Sequence, residues 1–257
     1  MQRSESVMPE MKIVITGVTS GIGQALALHY AQPGICLGLI GRRHDRLTDV
    51  AQRCEAQGAN IMAEPIDVCD QAAMQTYASA FLEQLGGIDL VIANAGIGGS
   101  DDLGSGNAAH HTRAFDVNVI GLLNTLLPFI PTMQVQRSGH LVAIASVAGF
   151  RALPGATTYA ATKMAVRTLM EGYGWSLNPY GIAVTTINPG YIVSEMTAQH
   201  TFHMPFLMQT DVAARKIARA IRQKRRVYTF PWQMAIIARL MHYIPGVLMR
   251  RAAVRRD

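Results

Sequence analysis

Residues 12–23 read KIVITGVTSGIG, an apolar run that leads directly into a glycine-rich turn. The run at 12–16 predicts a buried parallel strand, and residues 21–32 predict the helix that follows it. Glycine at 17, 21 and 23 permits a sharp turn and lets a pyrophosphate approach the backbone, while the start of the helix offers free N–H groups. A plain tight turn is the alternative, but the position between the first strand and the first helix favours phosphate binding.

Apolar runs alternate with helical patterns along the rest of the chain. Further strands are predicted at 36–40, 61–67, 88–93, 140–145, 182–187 and 226–230. Helices are predicted at 44–57 with Gly58 as C-cap, at 70–85 with Asp70 as N-cap, and at 110–133 and 157–177. This alternation predicts an α/β fold, a doubly wound, Rossmann-like parallel sheet covered on both faces. No linker or repeat divides the chain, so residues 1–257 are predicted to form a single domain.

Composition excludes several classes of protein. With 49% hydrophobic and 16% charged residues, the 257-residue chain is unlike a disordered protein. Its three cysteines are too scattered for a disulfide framework, and residues 1–12 lack the apolar run of a signal peptide, so we expect a cytoplasmic location. The pairs His110/His111 and His200/His203 have no third ligand at helical spacing, and we expect no metal site.

The net charge of +6 is unevenly distributed. Residues 211–257 hold 12 Lys+Arg and 2 acids, and the rest of the chain has an excess of acids. A solvated basic tail is the simplest explanation, with an anionic membrane surface or an acidic substrate as alternatives. No recognition motif accompanies the charge, so a nucleic-acid partner is not expected.

The residue after the second strand indicates the cofactor. An acid there would bind the ribose hydroxyls of NAD, but this chain has Gly41, Arg42 and Arg43. Gly41 leaves room, and Arg42 can bind a 2′-phosphate through two hydrogen bonds. Two solvated loop arginines are the alternative, and we expect NADP(H).

Tyr159 and Lys163 lie four residues apart, on one face of the helix predicted at 157–177. A free phenol has a pKa of about 10, and a nearby ammonium is expected to lower the pKa of Tyr159. The pair could then donate a proton to a carbonyl oxygen or accept one from an alcohol. Ser146, at the end of the fifth strand, would face the same crevice and hold the substrate oxygen. Asn118 is a polar amide among apolar neighbours, and it needs a partner that is either backbone or a bound water.

In their order and spacing over residues 11–196, these motifs resemble the short-chain dehydrogenase/reductase family. The shared features are the turn at 17–23, Asn94-Ala95-Gly96, Ser146, the Tyr159/Lys163 pair and Pro189-Gly190. The resemblance implies an NADP(H)-dependent oxidoreductase that transfers a hydride between nicotinamide and a carbonyl or alcohol carbon. It implies the catalytic residues Asn118, Ser146, Tyr159 and Lys163. The implied cofactor contacts are Gly17, Thr19, Ser20, Gly21, Ile22, Gly23, Gly41, Arg42, Arg43, Asp67, Val68, Asn94, Ala95, Gly96, Tyr159, Lys163, Pro189, Gly190, Ile192 and Ser194.

The resemblance also implies roles for individual contacts. Asp67 and Val68 would contact the adenine, and Asn94 would tie the strands together beside the cofactor. The Ile192 backbone N–H and the Ser194 hydroxyl would touch the nicotinamide carboxamide, although the family usually has threonine at the latter position. Asn118 would support a water-mediated proton relay from Lys163, which would also hold the nicotinamide ribose.

Two segments are predicted to serve the substrate and assembly. Residues 191–210 match the family's substrate lid, and methionines and phenylalanines there could line an apolar pocket or pack on the core. Residues 231–257 form a basic, apolar extension whose prolines limit a helix to 232–244. Its apolar side, Trp232, Ile236, Leu240 and Tyr243, is expected to pack against protein, with attachment to anionic lipid as the competitor.

We expect a homodimer or homotetramer formed through the helices at 110–133 and 157–177. The expected substrate is a small carbonyl or alcohol of apolar character. A non-catalytic dinucleotide sensor is the alternative function, because a fold does not fix an activity. The complete set of four catalytic residues argues against a sensor. A protein that only binds a membrane surface is a third alternative, and it rests on the tail alone.

Overall fold

The computed structural model describes residues 11–101, 103–198, 204–241 and 243–245. His200, His203, His242 and the four terminal arginines therefore lie outside the described residues, as does the middle of the predicted lid.

A seven-stranded parallel sheet forms the centre of the described structure. The strands are β1 (Met11–Thr16), β2 (Ile35–Ile40), β3 (Asn60–Glu64), β4 (Leu90–Ala93), β5 (Gly139–Ile144), β6 (Ile182–Pro189) and β7 (Val227–Phe230). Their order is β3-β2-β1-β4-β5-β6-β7, and every neighbouring pair is parallel. The order reverses between β1 and β4, which opens a ligand crevice at the carboxyl edge of the sheet. This confirms the predicted doubly wound α/β fold.

Helices cover both faces of the sheet. They are α1 (Gly21–Tyr30), α2 (His44–Glu55), α3 (Gln71–Leu85), α4 (Ala109–Phe115), α5 (Gly121–Leu126), α6 (Ile130–Gln136), α7 (Thr157–Leu177), α8 (Glu195–Ala198), α9 (Thr210–Arg222) and α10 (Trp232–Met241). Alternate strand residues point to opposite faces, so Ile13 packs with the α1, α2 and α9 side and Val14 with the α3, α5 and α7 side. Two buried apolar clusters result, one on each face of the sheet.

The helix predicted around 110–133, with Pro128 and Pro131 bending or ending it, is interrupted twice. The structure divides this region into α4, a π-helical turn at Asp116–Ile120, α5, a 3-10 turn at Leu127–Phe129 and α6. Pro128 and Pro131 each lack the N–H that an α-helix needs, which explains the second interruption. Residues 109–136 are long and apolar enough to cross a membrane by composition. Here, however, Phe129 and Met133 are fully buried against the sheet.

Several predicted boundaries shift for local reasons. β3 ends at Glu64 rather than at 67, because Pro65 cannot donate a ladder hydrogen bond. β4 begins at Leu90 rather than at 88, because the N–H and carbonyl of Ile88 bind the side chain of Gln136 instead. Gly58 is not the C-cap of α2. The cap is Ala56, and Gly58 lies two residues further along with a φ of +94°.

The helix α7 has the predicted bounds, and a distant acid fixes its first turn. The carboxylate of Asp101 accepts hydrogen bonds from the N–H groups of Thr157 and Thr158. These contacts satisfy two N–H groups that have no partner within the helix. His111 adds a 2.6 Å contact from Nδ1 to the Thr158 hydroxyl. The residue next to Tyr159 is therefore anchored from outside its own helix.

The face of α10 that is predicted to pack against protein is not buried within the subunit. Trp232, Ile236, Leu240 and Tyr243 are exposed, at 68%, 46%, 59% and 81%. The buried residues of this helix are Met234 and Ala238. Met234 and Ala238 form a second apolar stripe on the helix, and this stripe contacts the rest of the subunit. The predicted packing face is therefore open in the described structure.

Candidate active site

The glycine-rich turn after β1 is closely packed. Gly17 has a φ of +71°, a conformation that favours glycine. A Cβ at Gly23 would lie 2.2 Å from the Gly17 carbonyl oxygen, so no other residue fits there. The Asn94 amide donates to the carbonyl oxygens of Thr16 at 3.0 Å and Gly17 at 3.1 Å. It thereby ties the end of β4 to this turn.

The start of α1 suits an anion. Ser20 is the N-cap in extended conformation, and its side chain forms no cap hydrogen bond. The N–H groups of the first turn, including those of Gly21 and Ile22, therefore have no side-chain acceptor among the described residues. A Cβ at Gly41 would lie 2.6 Å from the Thr19 methyl carbon. An acidic side chain at position 41 is thus excluded by space as well as by sequence.

The two arginines after β2 have different surroundings. Arg42 is half exposed and lies 3.6 Å from the Asp67 carboxylate. Arg43 donates to the Thr19 hydroxyl at 3.1–3.2 Å and to the Thr19 carbonyl oxygen at 3.1 Å. It also pairs with Glu195 at 2.6 Å. Arg42 therefore makes fewer and longer polar contacts than Arg43 does.

Glu195 was not predicted from the sequence. It begins α8, within the predicted lid, and pairs with both Arg43 and Arg46. Hydrogen bonds from Arg46 and Arg43 lower the pKa of its carboxyl. No local pattern could indicate this contact, because it joins residues 152 positions apart. It connects the lid to the loop that follows β2.

Asp67 and Val68 lie at the end of the β3 region, as their predicted role requires. Burial raises the pKa of Asp67, but hydrogen bonds from the Cys69 N–H and from Arg113 outweigh it and leave the pKa below its usual value. The Arg113 contact is 2.6 Å long. The carbonyl oxygen of Val68 accepts from Asn124 at 2.9 Å. Arg113 and Asn124, both missed by sequence reasoning, hold this pair in place.

The loop after β4 brings two of the predicted catalytic residues together. A Cβ at Gly96 would lie 3.1 Å from Asn118 Oδ1 and 3.3 Å from Lys163 Nζ. Thr16 supports the loop, because its hydroxyl accepts from the N–H groups of Asn94 at 3.2 Å and Ala95 at 3.3 Å. A glycine at position 96 thus leaves room for both polar groups.

Asn118 lies within the π-helical turn at Asp116–Ile120 and is buried. Its oxygen accepts from the Ile97 N–H at 2.8 Å. Its amide donates to the Ile97 carbonyl at 2.9 Å and to the Thr162 hydroxyl at 3.0 Å. The amide therefore binds backbone, and it joins the loop after β4 to the helix that carries Lys163.

Ser146, Tyr159 and Lys163 converge at the carboxyl edge of β5. The Ser146 side chain lies near the Tyr159 phenol, close enough to act against the rise in the pKa of that phenol. Lys163 is buried, donates to the Ile144 carbonyl oxygen at 3.0 Å and lies 5.7 Å from the centre of the Tyr159 ring. A hydroxyl, a phenol and an ammonium therefore share one small site, and such a set can pass a proton to or from a ligand oxygen.

The pKa shifts in this group differ from the prediction. Burial raises the pKa of Tyr159, and the nearby Ser146 side chain opposes this only in part. The expected lowering by Lys163 is wrong for the protein without ligand, because the ammonium contacts a backbone carbonyl rather than the phenol oxygen. Burial lowers the pKa of Lys163 to about 8. The phenol is therefore protonated at neutral pH, ready to donate.

The segment after β6 forms the opposite wall of the crevice. A Cβ at Gly190 would lie 3.1 Å from both Pro231 and Met234, so a larger residue would press on both side chains. The segment is held by backbone contacts between 191–193 and Met208. The Thr197 hydroxyl, which sequence reasoning missed, donates to the Ile192 carbonyl at 2.8 Å and accepts from the Ser194 N–H at 2.9 Å. Ser194 itself faces Gly21, because a Cβ at that glycine would lie 3.4 Å from Ser194 Cβ.

The described parts of the predicted lid carry apolar side chains. Phe206 and Leu207 are partly exposed, and Met196 approaches Gly98 on the facing loop. Among the described residues, no group of three His, Cys, Asp or Glu side chains converges as metal ligands would.

Comparison with known proteins gives consistent matches. Residues 11–204 match the family model described as short chain dehydrogenase. An oxidoreductase from Myxococcus xanthus is 38% identical over 244 residues, which cover 94% of this chain and 96% of that relative.

Two solved structures share the fold. An alcohol dehydrogenase from the archaeon Thermococcus sibiricus, complexed with 5-hydroxy-NADP, is 26% identical with a TM-score of 0.75, covering 86% of this chain and 94% of that one. A short chain dehydrogenase/reductase from Burkholderia phymatum, in complex with NAD, is 26% identical with a TM-score of 0.78, covering 91% and 94%. Both kinds of dinucleotide thus occur among similar proteins.

Proposed function

The chain belongs to the short chain dehydrogenase family, and from that premise we propose that it is an NADP(H)-dependent oxidoreductase for apolar carbonyl or alcohol substrates. The family and the oxidoreductase class follow from the comparisons. The choice of NADP(H) and of an apolar substrate is our proposal. The observation that carries the chemistry is the convergence of Ser146, Tyr159 and Lys163 at one edge of the sheet.

The residues fit a nicotinamide dinucleotide. The turn at 17–23 and the start of α1, free of a side-chain cap, would hold the pyrophosphate. Asp67 and Val68 would border the adenine, and Asn94, Ala95 and Gly96 would line the groove beside it. Pro189, Gly190, Ile192 and Ser194 would complete the nicotinamide side, and Lys163 would hold the ribose. When bound, the cofactor supplies or accepts the hydride.

The preference for NADP(H) is supported by the loop after β2. Gly41 packs on Thr19 so closely that no acid fits there to bind ribose hydroxyls. Arg42 is half exposed, and its 3.6 Å contact with Asp67 is a long one for an ion pair. A 2′-phosphate offers this guanidinium a better, bidentate partner. Arg43 is hydrogen-bonded to Thr19 and would form the rear wall of the 2′-phosphate pocket.

The proton chemistry belongs to the side chains. In reduction, the Tyr159 phenol donates its proton to the carbonyl oxygen as the carbon receives the hydride. Ser146 holds that oxygen beside the phenol. Lys163, with a pKa lowered to about 8, stabilises the phenolate that forms and can be re-protonated near neutral pH. Asn118 acts by position, because its amide fixes Ile97 and Thr162 next to Lys163.

The apolar substrate is supported by the lid residues. Met196, Phe206 and Leu207 present exposed apolar surface beside the crevice. A panel of ketones, aldehydes and alcohols, followed by nicotinamide absorbance with both cofactors, tests the proposal. We expect turnover with NADP(H) that increases with the apolar character of the substrate. Turnover restricted to small polar substrates, or faster with NAD(H), would contradict it.

A homodimer or homotetramer is supported by apolar residues on the outward side of the central helices. Phe115, Ile120, Leu127, Met164 and Trp175 are each more than one-third exposed. Light scattering at micromolar concentration is expected to give a dimer or tetramer, and a monomer would contradict this. Cys36, Cys54 and Cys69 form no disulfide in the described part of the chain, which supports the proposed reducing, cytoplasmic location.

A further inference from the structure

Trp232, Ile236 and Leu240 form an exposed apolar strip on α10, and the exposed Tyr243 follows shortly after the helix ends. The spacing of four residues places the first three side chains on one side of the helix. The opposite stripe packs on the subunit, with Met234 beside Gly190 and Ala238 buried. The helix is therefore fixed to the body of the protein by that stripe, and the apolar strip faces away from it.

The chain around this strip is strongly basic. Residues 212–256 contain 12 Lys+Arg and no Asp or Glu. Arg239 belongs to α10 itself, and Arg151 donates to the Ile244 carbonyl at the far end of the helix. The twelve residues that follow the described structure, 246–257, carry four further arginines and one acid. Arg239 and Arg151 thus place positive charge near the strip, and the sequence that follows carries more.

We propose that the apolar strip of α10 docks on an anionic lipid bilayer. Trp232 begins the strip and Tyr243 lies just beyond its end, and each combines an apolar ring with a polar N–H or O–H, as the water–lipid interface requires. Ile236 and Leu240 between them would enter the acyl boundary. Pro231 and Pro245 flank the helix and keep it far shorter than a membrane span, so α10 lies along the surface.

Charge favours lipid over a second copy of the chain on this strip. A symmetric dimer would pair this patch with the same patch of a second copy, so basic groups from the two copies would be brought together. With no acid between 212 and 256, those positive charges would have no carboxylate from the same segment to meet. Anionic lipid headgroups supply the missing negative charge.

Docking would bring the lipid close to the crevice. Beside Gly190, α10 contacts the 3-10 turn Val147–Phe150, which directly follows Ser146. A bilayer on the strip would therefore lie near the carboxyl edge of the sheet, where an apolar substrate would enter. This consequence rests on the proposed function, but the docking itself does not, and its test requires no turnover.

The two tryptophans of the chain make the test direct. Trp175→Phe leaves Trp232 as the reporter, and Trp232→Phe leaves Trp175, which is equally exposed at 63% on α7. The full-length protein is mixed with vesicles of phosphatidylcholine, with or without phosphatidylglycerol, and tryptophan emission and flotation are measured. We expect Trp232 emission to shift to the blue only with phosphatidylglycerol, while Trp175 emission stays unchanged.

Variants distinguish vesicle binding through the apolar strip from general charge attraction to the vesicle. Ile236→Ser with Leu240→Ser is expected to weaken vesicle partitioning at least about tenfold, because partitioning scales with buried apolar area. Val135→Ser, at an exposed apolar position on α6, is the matched control and should bind as the parent does. Circular dichroism and cofactor binding check that each variant is folded.

Three results would overturn the proposal. The first is no vesicle binding at low salt. The second is binding that shifts Trp175 rather than Trp232. The third is Trp232 emission already blue-shifted without lipid and shifting to the red on dilution, which would show a second copy covering the strip.

Discussion

The Glu195 carboxylate pairs with the Arg43 guanidinium at 2.6 Å and so joins the lid to the loop after β2. Ser194, the preceding residue, faces Gly21 of the phosphate-binding turn. The ion pair therefore connects two segments that are proposed to border the cofactor. We propose that this salt bridge retains a bound cofactor by holding these segments together.

Removing the bridge should speed the exchange of cofactor. Glu195→Gln removes the charge pairs with Arg43 and Arg46, which are exposed to solvent and therefore weak. We expect NADPH to dissociate about two- to fivefold faster, measured by stopped-flow fluorescence. Glu83→Gln, at an exposed carboxylate of α3, is the control. An unchanged or slower release from Glu195→Gln would show that the bridge does not retain the cofactor.

Arg42→Ala should remove the preference for NADP(H). The lost charge-assisted contact with the 2′-phosphate is worth roughly 1.5–3 kcal/mol, which is about a 10- to 150-fold loss of affinity. NADH has no 2′-phosphate, so its affinity should stay the same. Calorimetric titration of both cofactors gives the comparison, with Arg53→Ala as an exposed arginine control. Equal losses of affinity for NADPH and NADH would show that Arg42 acts through its general positive charge rather than by binding the 2′-phosphate.

Lys163→Met should stabilise the protein without cofactor while abolishing turnover. Burial lowers the pKa of Lys163 from 10.5 to about 8, so the charged form is disfavoured by folding. Below pH 8 the lysine is charged in both states and this penalty is complete. Between about 8 and 10.5 the folded lysine is neutral, so the penalty fades as pH rises.

We therefore expect a gain of about 1–3 kcal/mol in the free energy of unfolding at pH 7, with the lost hydrogen bond to Ile144 offsetting part of it. The gain should shrink between about pH 8 and 10.5. Denaturant unfolding at several pH values measures both, and Lys216→Met, an exposed lysine of α9, is the control. A lower free energy of unfolding for Lys163→Met at pH 7 would contradict this prediction. It would show that the hydrogen bonds of the buried ammonium outweigh the cost of its burial.

Much of the sheet and of the site could be predicted because both follow local rules. Apolar strands followed by helices give the strand count and the doubly wound order, and the glycine turn, Tyr159 and Lys163 lie at spacings that a sequence displays directly. Their convergence with Ser146 follows from the parallel sheet, since the carboxyl ends of its strands share one edge. The exact bounds of α7 followed from its continuous helical pattern.

The features that the sequence did not predict depend on contacts between segments that lie far apart in the chain. The π-helical turn that holds Asn118 adds one residue to a helical turn, which periodicity does not reveal. The capping of α7 by Asp101 and the pairing of Glu195 with Arg43 arise only after folding. In α10 both sides are apolar, so the pattern could not decide which side packs. The Tyr159 pKa was mispredicted because spacing says nothing about where the Lys163 ammonium finds its hydrogen-bond acceptor.

The account depends most on Tyr159 as the proton donor, and turnover of Tyr159→Phe with NADPH and a substrate found in the panel tests it most directly. Tyr173→Phe, the same change about four helical turns further along α7, is the matched control. Because only the hydroxyl is lost, Tyr159→Phe should bind NADPH as the parent does and lose at least about a hundredfold in kcat. Near-normal turnover by Tyr159→Phe, with Tyr173→Phe also active, would contradict the account.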